Sequence, residues 1–510
     1  MLFTRAGGVL LHPTSLPGKY GIGNIGTSSL RFMDYLHQCG LQLWQVLPLG
    51  PTGFGNSPYQ SLSAFAGNPL LISLDEIIRE NLLSENDVAL IPKYQPERID
   101  YGAVIPFFEE LLLAAFNNFR NGRNPSLAGE FEEFQHAHAF WVDEYALFRA
   151  CKKHFGGGAW LDWPIELIRR EPQALQQWRE KLSEQVEATV FEQFLFFRQW
   201  HTLKSRAREL GIKIIGDIPI FAAHDSADVW ANQESFFLDE DGRPEFVAGV
   251  PPDYFSVTGQ LWGNPLYRWD VMAAHDFSWW KTRLSHTLKM VDIVRIDHFR
   301  GFEAYWEIPG DAETAVHGQW VKGPGEALFN ALQSSLGELP IIAEDLGVIT
   351  PEVEALRDRF DFPGMKILQF GFDSDSSNEY LPHNYSKNCV VYTGTHDNDT
   401  FLGWFEKAKQ IEIYHTTKKS AREHDFALNY MGCTSTKDLH WAFIRQAFAS
   451  IADMAIVPLQ DILGLGNEAR MNEPGTSEGN WEWRFQEGDI TDEMRNKLAE
   501  FAALYGRVKS

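Results

Sequence analysis

Four acidic residues stand where short apolar runs end: Asp217 in Ile-Gly-Asp-Ile-Pro, Asp297 in Arg-Ile-Asp-His, Glu344 in Ala-Glu-Asp-Leu-Gly and Asp397 in Thr-His-Asp-Asn-Asp. Cleavage of a glycosidic bond is a reaction that needs two carboxyl groups in different protonation states. One attacks the anomeric carbon as a carboxylate, and the other protonates the leaving oxygen and later deprotonates the acceptor. Arg295 lies two positions before Asp297, so in a strand both side chains leave the same face. A guanidinium there is expected to hold Asp297 ionised, as a nucleophile requires. Glu344 has no adjacent base in the sequence and follows an apolar run, which favours a raised pKa and the acid role. Asp397 would then supply negative charge near the oxocarbenium-like transition state.

Acids that follow strands also serve as helix caps, and that explanation suits any one of the four. It suits the set less well, because His298, His396 and Arg295 are interleaved with them. The histidines are candidates for hydrogen bonds to sugar hydroxyls or for structural roles. A metal-dependent hydrolase would show paired histidine ligands; here His12 stands alone, and His298 and His396 are flanked by acids on different runs. A bound metal is therefore the less favoured explanation.

The elements that must position these residues are eight apolar runs: 8–12, 41–49, 212–220, 292–299, 339–346, 365–372, 389–395 and 454–462. Near-continuous hydrophobicity marks strands buried on both faces. Helical patterns lie between several of them, as at 326–336 and 350–360. Alternating strands and helices predict parallel βα units, and eight such strands predict an α/β fold of the (β/α)8 TIM-barrel type. In a barrel the C-terminal strand ends converge on one face, which brings the four acids into one pocket. Residues 51–210 read as a largely helical insertion between strands 2 and 3, with periodic stretches at 103–119 and 172–210. No linker composition appears, so residues 1–510 are expected to form a single catalytic barrel domain. Residues 237–269 read as a long aromatic loop, with Tyr254, Phe255, Trp262 and Tyr267, folded over the barrel's C-terminal face. Residues 464–483 read as a second such cover.

Composition excludes some partners. The formal net charge of -24 repels phosphate backbones and anionic lipid, so neither nucleic acid nor a membrane surface is an expected partner. A neutral sugar is indifferent to that field. Aromatics at 14%, including 17 Trp, suit both a large core and the apolar faces of sugar rings. The four cysteines are scattered without C-x-x-C spacing, no secretory leader pattern opens the chain, and no apolar stretch is long enough to span a bilayer. A cytoplasmic location is expected.

Longer blocks strengthen the reading: residues 5–17 (RAGGVLLHPTSLP), 57–69 (SPYQSLSAFAGNP), 249–255 (GVPPDYF), 259–265 (GQLWGNP), 295–301 (RIDHFRG), 470–476 (RMNEPGT) and 480–484 (NWEWR). In these blocks and around the acids, the sequence resembles the amylomaltase or disproportionating-enzyme family, a branch of the α-amylase superfamily, along nearly its whole length. The resemblance implies a 4-α-glucanotransferase with Asp297 as nucleophile, Glu344 as general acid/base and Asp397 as transition-state stabiliser. It places Tyr59, Asp217, Arg295, His298 and His396 around the donor sugar, and Trp262 and Asn467 on the acceptor side. It implies α-1,4-glucans (maltodextrins, amylose, starch or glycogen chains) as substrates, glucose as an acceptor, and no cofactor. A maltodextrin hydrolase is the alternative, since both would form the same glucosyl-enzyme and differ only in what attacks it. A transferase must disfavour water and orient an acceptor hydroxyl, which is the task assigned to the two covering segments.

Overall fold

The computed structural model describes residues 3–89, 91–252, 256–413, 418–435 and 437–508. Twelve strands follow in chain order: β1 (Ala6–Leu10), β2 (Leu43–Gln45), β3 (Lys213–Pro219), β4 (Phe246–Val250), β5 (Gln260–Pro265), β6 (Ile293–Asp297), β7 (Ala304–Pro309), β8 (Gln319–Lys322), β9 (Ile341–Ala343), β10 (Gly364–Ile367), β11 (Cys389–Tyr392) and β12 (Met454–Pro458). Eight of them form one parallel sheet in the order β10-β11-β12-β1-β2-β3-β6-β9. Its two ends meet, where Ala343 of β9 donates its N–H to the Pro363 carbonyl beside β10 at 3.0 Å. The protein is therefore a (β/α)8 barrel, and each of the eight apolar runs contributes one strand. Residues such as Val9, Trp44, Ile214, Val294, Ile342, Val390 and Ile456 are fully buried, because helices cover the outside while neighbouring strands fill the inside. The helical patterns also appear where the period placed them, as Gly325–Leu336 and Pro351–Arg359.

Residues 51–210 carry the helices Leu74–Arg79, Tyr101–Arg120, Leu127–His154, Ile165–Ile168, Pro172–Lys181 and Ser183–Leu210. The continuous period over 172–210 is interrupted at Leu182, whose backbone leaves helical geometry (φ −107°, ψ 21°). Helices Leu127–His154 and Ser183–Leu210 pack through aromatic rings, with Phe131–Phe194 centroids 5.6 Å apart and Trp141–Phe197 5.7 Å apart. The second of these helices is tied to the barrel. Trp200 donates to the Met290 carbonyl at 2.9 Å, and the Lys204 ammonium reaches the carbonyls of Lys289 and Val291 at 3.0 and 3.1 Å. Those are the last carbonyls of helix Ser278–Met290 and its exit into β6, where a cation complements the helix dipole.

Residues 237–269 differ from the loop read in the sequence. They contribute β4 and β5 to a second, antiparallel sheet of order β5-β4-β7-β8. A register shift between Val247 and Gly249 and the glycines within these strands break the alternation that would have marked them. Strand β8 left no signal because it has no buried position, and β7 is buried in consecutive pairs rather than at alternate positions, so neither shows an apolar alternation. Tyr254 and Phe255 lie outside the described residues. No helix among the described residues is long and apolar enough to cross a membrane.

The C-terminus locks the base of the barrel. Arg507 is fully buried, and its guanidinium donates to the carbonyls of Phe448, Ala6, Asp453, Ser450 and Ala452 at 2.8 to 3.3 Å. These carbonyls belong to the end of helix Leu439–Ala449 and to the entrances of β1 and β12. Arg507→Ala leaves several of them unpaired in a dry site, so urea unfolding is expected to show a loss of about 3 kcal/mol or more. Activity measured below the unfolding midpoint is expected to change little.

Candidate active site

Register places the first pair. In the β3–β6 pairing Asp217 lies beside Arg295 and Pro219 beside Asp297, so neighbouring strands present acid and base at one level. Arg295 Nη1 bonds both oxygens of Asp217, at 2.8 and 2.6 Å, and Nη2 reaches Asp297 Oδ1 at 3.0 Å. Tyr59, from the irregular segment after β2, donates its hydroxyl to Asp217 Oδ2 at 2.8 Å. Both Asp217 oxygens are thus occupied and its side chain is wholly buried. Asp217 anchors Arg295, while the Asp297 side chain, 33% exposed, faces the open end of the barrel.

Glu344 follows β9 directly and is fixed by backbone. Its Oε2 accepts from His298 N–H at 2.7 Å and its Oε1 from Leu346 N–H at 2.8 Å. Two backbone bonds tie the same strand ends together, Glu344 N–H to the Ile296 carbonyl at 3.1 Å and Phe299 N–H to the Glu344 carbonyl at 3.0 Å. His298 takes the left-handed backbone conformation at φ 57°, uncommon for a residue other than glycine. That turn aims its amide at Glu344, and the positive φ is a strain held at the mouth of the site.

Asp397 lies on the loop after β11. Its Oδ2 is 3.3 Å from His396 Nε2, and its Oδ1 accepts from Asn472 Nδ2 at 2.6 Å. The His396 ring stacks on Tyr59 with centroids 5.0 Å apart and planes 13° apart, and Trp481 lies 5.9 Å from each of them. Tyr59, His396 and Trp481 together form an aromatic wall. Trp262, on β5, meets the His298 ring edge-on at 4.8 Å, and His298 Nε2 is buried without a partner among the described residues. That nitrogen is free for a ligand hydroxyl.

The structure thus connects Tyr59, Asp217, Arg295, Asp297, His298, Glu344, His396, Asp397 and Trp262 through direct contacts. Asn467 does not join them among the described residues: its side chain lies against Gly403, and its Oδ1 is buried without a partner there. Asn472, Arg470 and Trp481 were missed as site residues in the sequence. They belong to the blocks at 470–476 and 480–484, but more than seventy positions separate them from Asp397 in the chain, and no local pattern announces the contact.

The charges sort the carboxyls. Burial first, and the Asp297 charge second, push Glu344 up to about 8, against the lowering effect of Arg295 and the two backbone donors. Burial also pushes Asp297 upward. Arg295 opposes this without reversing it, since the charges of Asp217 and Asp397 add to the upward push. The sequence expectation that the Arg295 guanidinium holds Asp297 ionised is thus met only in direction: it lowers Asp297, and burial outweighs it. The order between the two still follows from contact: among the described residues Arg295 touches Asp297 and no cation touches Glu344, so a shared proton rests on Glu344. Burial lowers His298 to about 3, which keeps it neutral. Among the described residues, no group of three or more His, Cys, Asp or Glu side chains is arranged to hold a metal ion.

Barrel and carboxyl cluster together define a (β/α)8 enzyme of glycosidic-bond chemistry. A profile of the 4-alpha-glucanotransferase family matches residues 11–491. The chain is 51% identical to a 4-alpha-glucanotransferase of Thermus thermophilus over 100% of both chains. It is 50% identical to that of Synechocystis sp. over 99% of both. Its structure resembles that of an amylomaltase from Streptococcus agalactiae in complex with acarbose, with a TM-score of 0.94 and 41% identity, covering 99% of this chain and 100% of that one. The chain belongs to the 4-alpha-glucanotransferase family. Its activity is 4-α-glucan transfer (EC 2.4.1.25), and hydrolysis is not favoured.

Proposed function

We propose that the transfer runs by retaining double displacement through Asp297 and Glu344. Glu344 gives its proton to the glycosidic oxygen while Asp297 attacks C1; the C1–O bond breaks, and a β-linked glucosyl ester forms on Asp297. The released chain departs. An acceptor 4-hydroxyl then gives its proton to Glu344 and attacks C1, which restores the α-linkage and frees Asp297. Asp397 faces the positive charge that develops at the ring in both steps. The observation that carries this reading is the asymmetry between the two carboxyls, Asp297 on a guanidinium and Glu344 on backbone amides only.

In the same reading Tyr59, Asp217, Arg295, His298 and His396 hold the donor sugar, and Trp262 stacks on the acceptor side. Asn467 would reach the acceptor only after leaving Gly403. Substrates are α-1,4-glucans (maltodextrins, amylose, and starch or glycogen chains), with glucose as the smallest acceptor. No cofactor takes part in these steps, and the enzyme works in the cytoplasm. Residues 1–510 act as one catalytic unit, in which the insertion at 51–210 supplies Tyr59 and the one at 237–269 supplies Trp262.

Incubating the protein with maltotriose, with and without EDTA, tests the proposal. Glucose together with a ladder of longer maltodextrins is expected, unchanged by EDTA. Glucose and maltose without longer products would show that water outcompetes the acceptor. Loss of the ladder in EDTA would put a metal into the mechanism.

A further inference from the structure

The carboxylate of Asp397 is 44% exposed and sits on a loop. Within that loop, His396 lies against it. What holds it comes from far along the chain. Asn472 accepts nothing from Asp397; it donates from Nδ2 to Asp397 Oδ1 at 2.6 Å, while its own backbone N–H bonds the His396 carbonyl at 3.1 Å. Arg470 gathers the surrounding backbone. Its Nη2 donates to the Asp397 carbonyl at 2.6 Å, its Nε to the Asn472 carbonyl at 2.7 Å, and its Nη1 to Asp399 Oδ1 at 2.6 Å. A rigid guanidinium fork thus fixes three points of two segments relative to one another.

The division of labour between the two side chains has an electrostatic sense. Arg470 pairs with Asp399, which Lys407 also reaches at 2.9 Å, and among the described residues it makes no bond to the Asp397 carboxylate. Asn472, a neutral donor, orients that carboxylate without cancelling its charge. A group that is to stabilise a cationic transition state must be both held and left negative, and preorganisation of this kind is where electrostatic catalysis gains most.

We propose that Asn472 and Arg470 are positioning residues of the transfer reaction, which hold Asp397 toward the reacting ring and make the 464–483 segment a working part of the donor site. This rests on the reading of Asp397 as transition-state stabiliser, so the experiment includes Asp397 itself. In the full chain, Asn472→Ala, Arg470→Lys, Asp397→Asn and the double variant Asn472→Ala/Asp397→Asn are assayed with maltotriose and with α-maltosyl fluoride. The fluoride leaves without a proton and so bypasses Glu344.

Asn472→Ala is expected to lower kcat about 10- to 100-fold, as a displaced catalytic group does, with KM nearly unchanged. The loss should be the same with both donors, since Asp397 serves the ring and not the leaving group. Arg470→Lys, which keeps the charge and loses the fork, should show the same selective loss in kcat. The double variant should be no slower than Asp397→Asn alone, because Asn472 acts through Asp397. Wild-type kcat in both Asn472→Ala and Arg470→Lys, beside an inactive Asp397→Asn, would overturn the inference. Full additivity in the double variant would overturn it as well. An active Asp397→Asn would instead overturn the role given to Asp397.

Discussion

Asp297→Asn is expected to transfer no glucan, with kcat on maltotriose reduced at least about 10⁴-fold, the scale on which loss of a nucleophile is felt. The amide fits the same space, so folding and donor binding should persist. It carries no charge, and a neutral amide oxygen is a poor nucleophile toward C1. It also places an amide beside the Arg295 guanidinium, which stays anchored on Asp217 through two bonds at 2.8 and 2.6 Å. The site should therefore remain in shape while losing its reacting atom. A fluorinated maltosyl donor that reacts and then stalls gives the direct readout. Intact mass of the wild type should rise by one glycosyl unit, with the modified peptide containing Asp297. The variant should show no such adduct. An adduct formed on another residue, or near-normal transfer by the variant, would remove Asp297 from the nucleophile role.

Glu344→Gln is the second large effect, and it divides the two half-reactions. Transfer from maltotriose should fall about 10³-fold, within the range for a lost general acid–base. Transfer of the glycosyl group from α-maltosyl fluoride to the enzyme needs no proton and should survive. The glycosyl-enzyme then accumulates, because no base is left to deprotonate an acceptor hydroxyl. Azide, which needs no base, should relieve the block by displacing Asp297 from the β-linked ester with inversion, releasing an α-glycosyl azide. Equal losses with both donors would show that Glu344 does something other than proton transfer.

The pH dependence has a definite sign. Glu344 must carry its proton to start the first step and is pushed up to about 8, so wild-type activity should decline above roughly that pH. Stability moves the same way. Between the ordinary carboxyl range and about 8, the folded protein keeps a proton on Glu344 that the unfolded chain has released, so this residue's contribution to stability falls as pH rises. Glu344→Gln removes that dependence. Its melting temperature relative to wild type should therefore be higher at pH 8 than at pH 5. An unchanged difference across that interval would mean that Glu344 is not held protonated.

The barrel and the row of acids at its strand ends were legible in the chain alone. Strands such as β9 and β12 are apolar along their length because helices and neighbouring strands dry both faces, and that dryness is written locally as Ile, Val and Ala. An acid at such a strand's end is a local feature too, and the barrel's single mouth gathers Asp217, Asp297, Glu344 and Asp397 whatever lies between them. Strand β8 was illegible because solvent, not a core, meets it, and β7 because its buried positions do not alternate. Tertiary structure alone decided the partners. Register put Asp217 beside Arg295 and so divided one guanidinium between two carboxylates, which changed what Arg295 does for Asp297. The fold brought Asn472 and Arg470 onto Asp397, and turned Asn467 onto Gly403 instead. A hydrogen bond depends on where two atoms stand to within a fraction of an ångström, and residues distant in the chain carry no local trace of that placement.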